Sequence, residues 1–176
     1  MLLCVLLSGC TKNERILQPA LDFRTNVLGA ETCKFSCHVE ADYGDRVYTF
    51  SLDCVYDGEN AEFTVTAPET IAGIQAKIHD GDAELQFDGV SLEYGVLANG
   101  YVAPLKTPWI LGNAWSKEYI ASAWEEDGYY CFSVLAGYDE EELTVNTWLK
   151  DRKPVKAEVL YEGKRVLNIT IENFTY

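Results

Sequence analysis

A mainly β (α+β) chain, built as one strongly curved antiparallel sheet, is predicted by three observations on the 176 residues. Apolar and polar residues alternate with period two along most of the length from Cys33 to Phe174. Turn residues interrupt that alternation at short intervals, which makes successive strands neighbours. Only two stretches carry a helical or all-round apolar pattern, one before the first strand and one in the middle.

Taken in order, Leu17, Ala20, Leu21, Val27 and Leu28 recur at helical spacing from about Glu14 to Leu28, and Gly29 can stop that helix. Cys33, Phe35, Cys37 and Val39 then alternate with polar residues up to the turn Tyr43-Gly44-Asp45. Beyond it Tyr48, Phe50, Leu52, Cys54 and Tyr56 complete a long hairpin with one apolar face. Asp57-Gly58-Glu59-Asn60 turns the chain into Ala61, Phe63, Val65 and Ala67, where Pro68 ends the strand. Ile74, Ala76 and Ile78 form a fourth strand. Leu85 and Phe87 follow Asp80-Gly81-Asp82, and Asp88-Gly89 leads into Val90, Leu92 and Tyr94, a tight-hairpin signal. Six strands thus form a meander.

Gly95 to Lys106 reads as a loop. Thr107 to Glu126 holds Trp109, Ile110, Leu111, Trp115, Tyr119, Ile120 and Trp124, with Pro108 at a plausible first helical position. A helix apolar on every side is buried on every side, so this stretch is expected to sit within a cupped sheet as a plug between strands six and seven. Strands resume at Tyr129–Ala136, Glu142–Leu149, Pro154–Tyr161 and Arg165–Phe174. About ten up-and-down strands with one apolar face need cover, and the helices are the available cover. An unclosed barrel with a helical plug follows, a shape that readily leaves an apolar cavity.

The Val65-Thr66-Ala67-Pro68 strand end, the stretch Leu85-Gln86-Phe87-Asp88-Gly89 and the hairpin Ala157-Glu158-Val159-Leu160-Tyr161-Glu162-Gly163-Lys164 carry a resemblance. Over residues 14–176 the chain resembles the LolA/LolB lipoprotein-carrier superfamily. That resemblance implies an unclosed antiparallel barrel whose helical lid covers a site for acyl chains. It also implies a lid-tethering arginine, for which Arg24, Arg46 and other positions all stand open.

The N-terminus looks like a bacterial lipobox. Met1 to Leu7 is apolar, Leu7-Ser8-Gly9-Cys10 follows, and Thr11-Lys12-Asn13-Glu14 is polar at once. Residues 1–9 are expected to be a signal peptide, truncated because no basic residue precedes the apolar run. Residues 10–15 would be the lipidated Cys10 and its tether, and residues 16–176 one half-barrel domain. The leader is too short to span a bilayer, so the expectation is a lipid anchor on the extracytoplasmic face of a bacterial membrane.

A formal net charge of -14 repels phosphate backbones and excludes a nucleic-acid partner. Cys33, Cys37, Cys54 and Cys131 lack zinc or redox spacing and read as buried thiols. The hairpin register leaves a Cys33–Cys54 disulfide as the alternative. His38 and His79 fall on polar strand faces, Asp53 and Asp88 lie among apolar strands, and no nucleophile elbow, metal-binding or phosphate-loop motif occurs. No enzyme, metal or cofactor is therefore expected. The primary expectation is a cavity for a lipid, an acyl chain or another apolar ligand, lined by Phe50, Leu52, Phe63, Val65, Leu85, Phe87, Trp109, Trp115 and Trp124. The alternative is an anchored sensor or protein-interaction module with a filled core, meeting a lipoprotein or envelope protein partner. Its acidic run Asp139-Glu140-Glu141-Glu142 is more simply a solvated turn.

Overall fold

Strand alternation becomes one large sheet with two helices on its concave side. The computed structural model describes residues 11–79, 82–87, 90–94, 97–98, 101–137 and 142–176. Helix α1 (Thr11–Gly29) leads into β1 (Cys33–Asp42), β2 (Val47–Tyr56), β3 (Asn60–Ala67), β4 (Gln75–His79), β5 (Asp82–Phe87) and β6 (Val90–Tyr94). A small pair, β7 (Leu97–Ala98) and β8 (Tyr101–Val102), precedes helix α2 (Thr107–Ser116). The chain returns through β9 (Tyr119–Glu126), β10 (Tyr129–Ala136), β11 (Leu143–Lys150), β12 (Lys153–Tyr161) and β13 (Lys164–Thr175). Among the described residues no helix is long and apolar enough to cross a membrane.

The main sheet has eleven strands in the order β6-β5-β4-β3-β2-β1-β13-β12-β11-β10-β9. Two meanders, β1 to β6 and β9 to β13, are joined through the β1–β13 pair at the centre. The sheet is not closed, because β6 and β9 end at opposite edges. Helix α2 bridges them in sequence and lies against β2, β3 and β10, while α1 packs against β9, β10 and α2. The expected half-open barrel with an N-terminal helix and a central helical plug is the architecture observed.

Three details differ from expectation. The helical stretch from Thr107 ends at Ser116, and Tyr119–Glu126 is an edge strand paired with β10. Its Tyr, Ile and Trp side chains favour a strand, and Asp127 and Gly128, with φ of 50° and 82°, supply the tight turn that folds it onto β10. The presumed loop before α2 holds the β7–β8 pair and a 3-10 turn at Pro104–Lys106. The presumed tether 11–15 is helical from Thr11.

Period two sets burial. On β1, Cys33, Phe35, Cys37, Val39 and Ala41 are buried and face the helices. On β11 the alternation of Leu143, Val145, Thr147 and Leu149 does the same. From α1 the core receives Ala20, Phe23 and Val27, spaced three and four apart. Leu21 and Leu28, expected on that face, are 39% and 61% exposed, because each sits one position round the helix from a buried neighbour.

Candidate functional site

The concave face beneath α2 is where the sequence expectation placed a ligand cavity. Trp115, near the end of α2, is fully buried there. Its indole packs edge-on against Phe23 of α1, Phe35 of β1 and Phe174 of β13, with ring centroids 5.6, 5.5 and 5.8 Å away. Its one polar atom is satisfied, since Nε1 donates to Thr147 Oγ1 of β11 at 3.1 Å. One side chain thereby joins both helices to both halves of the sheet.

Two polar contacts seat the end of the plug. Arg24 Nε donates to the Trp115 carbonyl and Arg24 Nη2 to the Ala114 carbonyl, both at 3.0 Å. These are carbonyls of the last helical turn, where a cation also meets the negative end of the helix dipole. Burial lowers the Arg24 pKa and nearby Glu118 opposes that shift. Among the positions left open by sequence, Arg24 is one that binds the plug. On the other side Tyr56 Oη and Ser116 Oγ lie 2.7 Å apart, and Ser116 Oγ also donates to the Gly112 carbonyl at 2.7 Å. Burial raises the Tyr56 pKa, with the Ser116 bond pulling it the other way. Removing the clamp through Arg24→Ala is expected to cost about 1.5–3 kcal/mol, the worth of charge-assisted hydrogen bonds. Faster hydrogen exchange confined to α2 is the measurement that separates this local loosening from global destabilisation.

The cavity candidates divide into groups. Leu52, Phe63, Val65 and Trp115 are buried together in the core. Phe50 and Trp109 are half-buried and packed against it. Trp124 does not join them. It pairs with Cys131, which faces Trp148 on the next strand, and both tryptophans lie on the outer surface of the sheet. A strand exposes alternate residues to opposite faces, so Ala123 took the inward position that Trp124 was expected to hold. Leu85 and Phe87 lie on β5, but their side chains are outside the described residues, as are Cys10, Asp88 and Asp139-Glu140-Glu141. Phe23, Phe35, Thr147 and Phe174 were missed as lining residues; spacing from Ala20 and Val27 was the available signal for Phe23.

Surface depressions lie elsewhere. One of about 350 Å³ is lined by polar residues of β2 to β4, among them Asp53, Glu62, Gln75 and Lys77, together with Val55, Ala76 and the cavity candidate Phe63. Another of about 660 Å³ lies between the end of α1 and Tyr176. Neither includes a residue of α2. His38 and His79 sit on the outer face beside Ser51 and Asn60, at 3.2 and 2.8 Å. Asp53 accepts from Ser36 Oγ at 2.8 Å. Among the described residues no group of His, Cys, Asp and Glu is arranged to hold a metal ion.

Cys33, Cys37, Cys54 and Cys131 are free and buried. The register sets Cys33 opposite Tyr56 and Phe35 opposite Cys54. The thiol nearest Cys54 is therefore Cys37, with Sγ atoms 3.8 Å apart, and not Cys33. Burial pushes the Cys33 and Cys131 thiols up to about 11 and Cys54 well above its ordinary value. All three are protonated at neutral pH and poor nucleophiles. Thiol titration of folded protein at pH 8 is expected to label these four slowly. Unfolding without reductant should release all four; fewer would mean a disulfide.

No protein-family model matches the chain, and no curated protein matches it in sequence. Solved structures do match in shape. A DUF1329 family protein from Desulfovibrio piger is similar at 10% identity and a TM-score of 0.50, over 93% of this chain and 92% of that one. A LolA superfamily protein from Nitrosomonas europaea is similar at 14% identity and a TM-score of 0.44, over 93% and 91%. A chain of the complex between the CwlD amidase and the GerS lipoprotein of Clostridioides difficile is similar at 13% identity and a TM-score of 0.43, over 97% and 99%. These likenesses are of fold alone. The unclosed antiparallel sheet with an N-terminal helix and a central plug is shared, as a fold alone, with the Desulfovibrio piger protein.

Proposed function

We propose that this chain is a lipid-anchored, non-catalytic protein of the bacterial envelope that acts by binding another protein on its surface. The observation that carries this reading is the filled interior. Trp115, Phe23, Phe35 and Phe174 occupy the concave face where an apolar ligand would lie, and the plug above them is hydrogen-bonded on both flanks. Binding energy is then available from the outer face and edges of the sheet, which carry the half-buried Trp124 and Trp148 and the exposed Tyr119 and Tyr130. Anchoring through Cys10 rests on the Leu7-Ser8-Gly9-Cys10 stretch and on the short apolar leader. Fixed to a membrane, such a protein would receive or sense a partner locally. In-cell crosslinking followed by purification should recover one stoichiometric protein partner; its absence would remove the reading. Cys10→Ala is expected to move the protein from the membrane fraction to the soluble fraction. Retention on membranes would end the anchor.

A second reading, an acyl chain or other apolar ligand held between sheet and plug, draws support from half-buried Phe50 and Trp109 at the margin of the core. It requires α2 to move. Native mass spectrometry of freshly purified protein is its test: a bound lipid favours this reading, and a clean apo mass with no tryptophan response to added fatty acid removes it.

A further inference from the structure

From the two edges of the sheet we infer that β9 is a docking strand for an extended, basic segment of a partner protein. The inference deepens the surface-binding reading and rests on it. The edges are unequal: β6 has five residues and β9 has eight. β9 is paired on one side by β10, and among the described residues no backbone hydrogen bond engages its other side. An edge of that length is a template for an added strand unless it is guarded by lysine, proline or irregularity. The sequence of β9, YIASAWEE, holds neither lysine nor proline. Its one irregularity is the extra residue Ala121 against β10, which leaves Ser122 to Glu126 in regular pairing.

The side chains around this edge are those of a binding hot spot. Tyr119 is 72% exposed and Tyr130, on β10, is 45% exposed. On the outer face Trp124 and Trp148 stand edge-to-face at 6.1 Å. Glu126 fixes both, accepting from their Nε1 atoms at 3.4 and 3.1 Å. Pre-set aromatic side chains of this kind lose little freedom on binding.

Charge selects the occupant. From Glu118 to Tyr130 there are four carboxylates, Glu118, Glu125, Glu126 and Asp127, and no Lys, Arg or His. Glu125 is exposed and makes no ion pair with a described residue. Lys156 on β12 is taken up by Trp148 and Glu158, and the exposed Lys117 and Lys150 lie outside β9. Glu126 and the two indoles lie on the outer face and Glu125 on the other, so an incoming strand meets a carboxylate whichever face its arginines take, while its backbone completes the ladder. A second copy of this chain is disfavoured, because it would bring acidic β9 beside acidic β9 and add another charge of -14.

The test uses the full chain and a short peptide of alternating arginine and valine, with a glutamate-valine peptide as its counterpart. Hydrogen exchange is expected to slow at residues 119–126 only when the arginine peptide is present. Affinity should fall about tenfold in Glu125→Lys and also on going from about 0.05 to about 0.5 M salt. Ser122→Pro or Ala123→Pro, whichever residue has its backbone N–H turned away from β10, removes a donor from the edge and should abolish binding; if that variant does not fold, Glu125→Lys decides. No binding, equal binding of the glutamate peptide, protection of β6 in place of β9, or an unchanged Glu125→Lys affinity would each overturn the inference. A partner crosslinked through another face would leave surface binding standing and remove this site alone.

Discussion

Trp115→Ala is expected to lower stability by about 3–5 kcal/mol, the range for deleting a large buried aromatic. For a chain of this size that corresponds to a melting temperature lower by about 6–20 °C. The cost is high because one side chain serves four elements. Removing the indole opens a void among Phe23, Phe35 and Phe174 and leaves the buried Thr147 hydroxyl without its donor. Collapse of the void would require β1, β11 and β13 to move, and they are tied by sheet hydrogen bonds. Trp115→Phe keeps most of the volume but not the donor, and should cost less. Urea unfolding of both variants would measure the difference; a Trp115→Ala loss below about 1.5 kcal/mol would place the indole outside a well-packed core.

The second large effect runs against helix propensity. Glycine to alanine inside a helix ordinarily stabilises by about 0.5–1 kcal/mol. Gly112→Ala is expected to do the opposite, costing about 1–3 kcal/mol by overpacking. A methyl group on Gly112 would fall on the Tyr56 ring, 2.5 Å from Cγ and 2.6 Å from Cε2. These are atoms at the root and middle of a ring that is itself 2% exposed, so it cannot swing aside as a flexible tip would. Displacing Tyr56 would also disturb its hydroxyl contacts with Ser116 and the Gly58 carbonyl, at 2.7 and 3.0 Å. The double variant Gly112→Ala with Tyr56→Ala removes the clash, and strong non-additivity in thermal unfolding would identify it. If Gly112→Ala alone raises the melting temperature, the close approach of α2 to β2 is wrong.

Most of the sheet was legible because period two needs only local information. The runs Cys33–Val39 and Leu143–Leu149 each declare a buried face without reference to the rest of the chain. Asp127-Gly128 was an equally local sign, yet the strand before it was hidden inside a continuous apolar stretch. Such a stretch has no polar side to mark where a helix ends and a strand begins. Trp115 and Trp124 therefore look equivalent in sequence, while one closes the core and the other lies on the outer surface. The helix face of α1 failed for a related reason: apolar residues one position apart compete for the same stripe, and only packing selects Ala20 over Leu21 and Val27 over Leu28. Arg24 could not be singled out, because its partners are backbone carbonyls about ninety residues away, which carry no side-chain signature.

The pairing of the first strand with the last has a consequence for biosynthesis. Residues 33–94 can zip up as one local meander as the exported chain emerges from the membrane, and residues 119–175 as another. The seam between them joins Cys37 to Ile171 and Val39 to Ile169, so the middle of the sheet is among its last parts to be completed. Until β13 is made, β1 presents an open edge in the interior of the future molecule, a period of exposure that suits capture by a chaperone and that slows folding through distant contacts. A pulse-labelled chain should therefore gain protease resistance in one late step, after Ile171 has been synthesised.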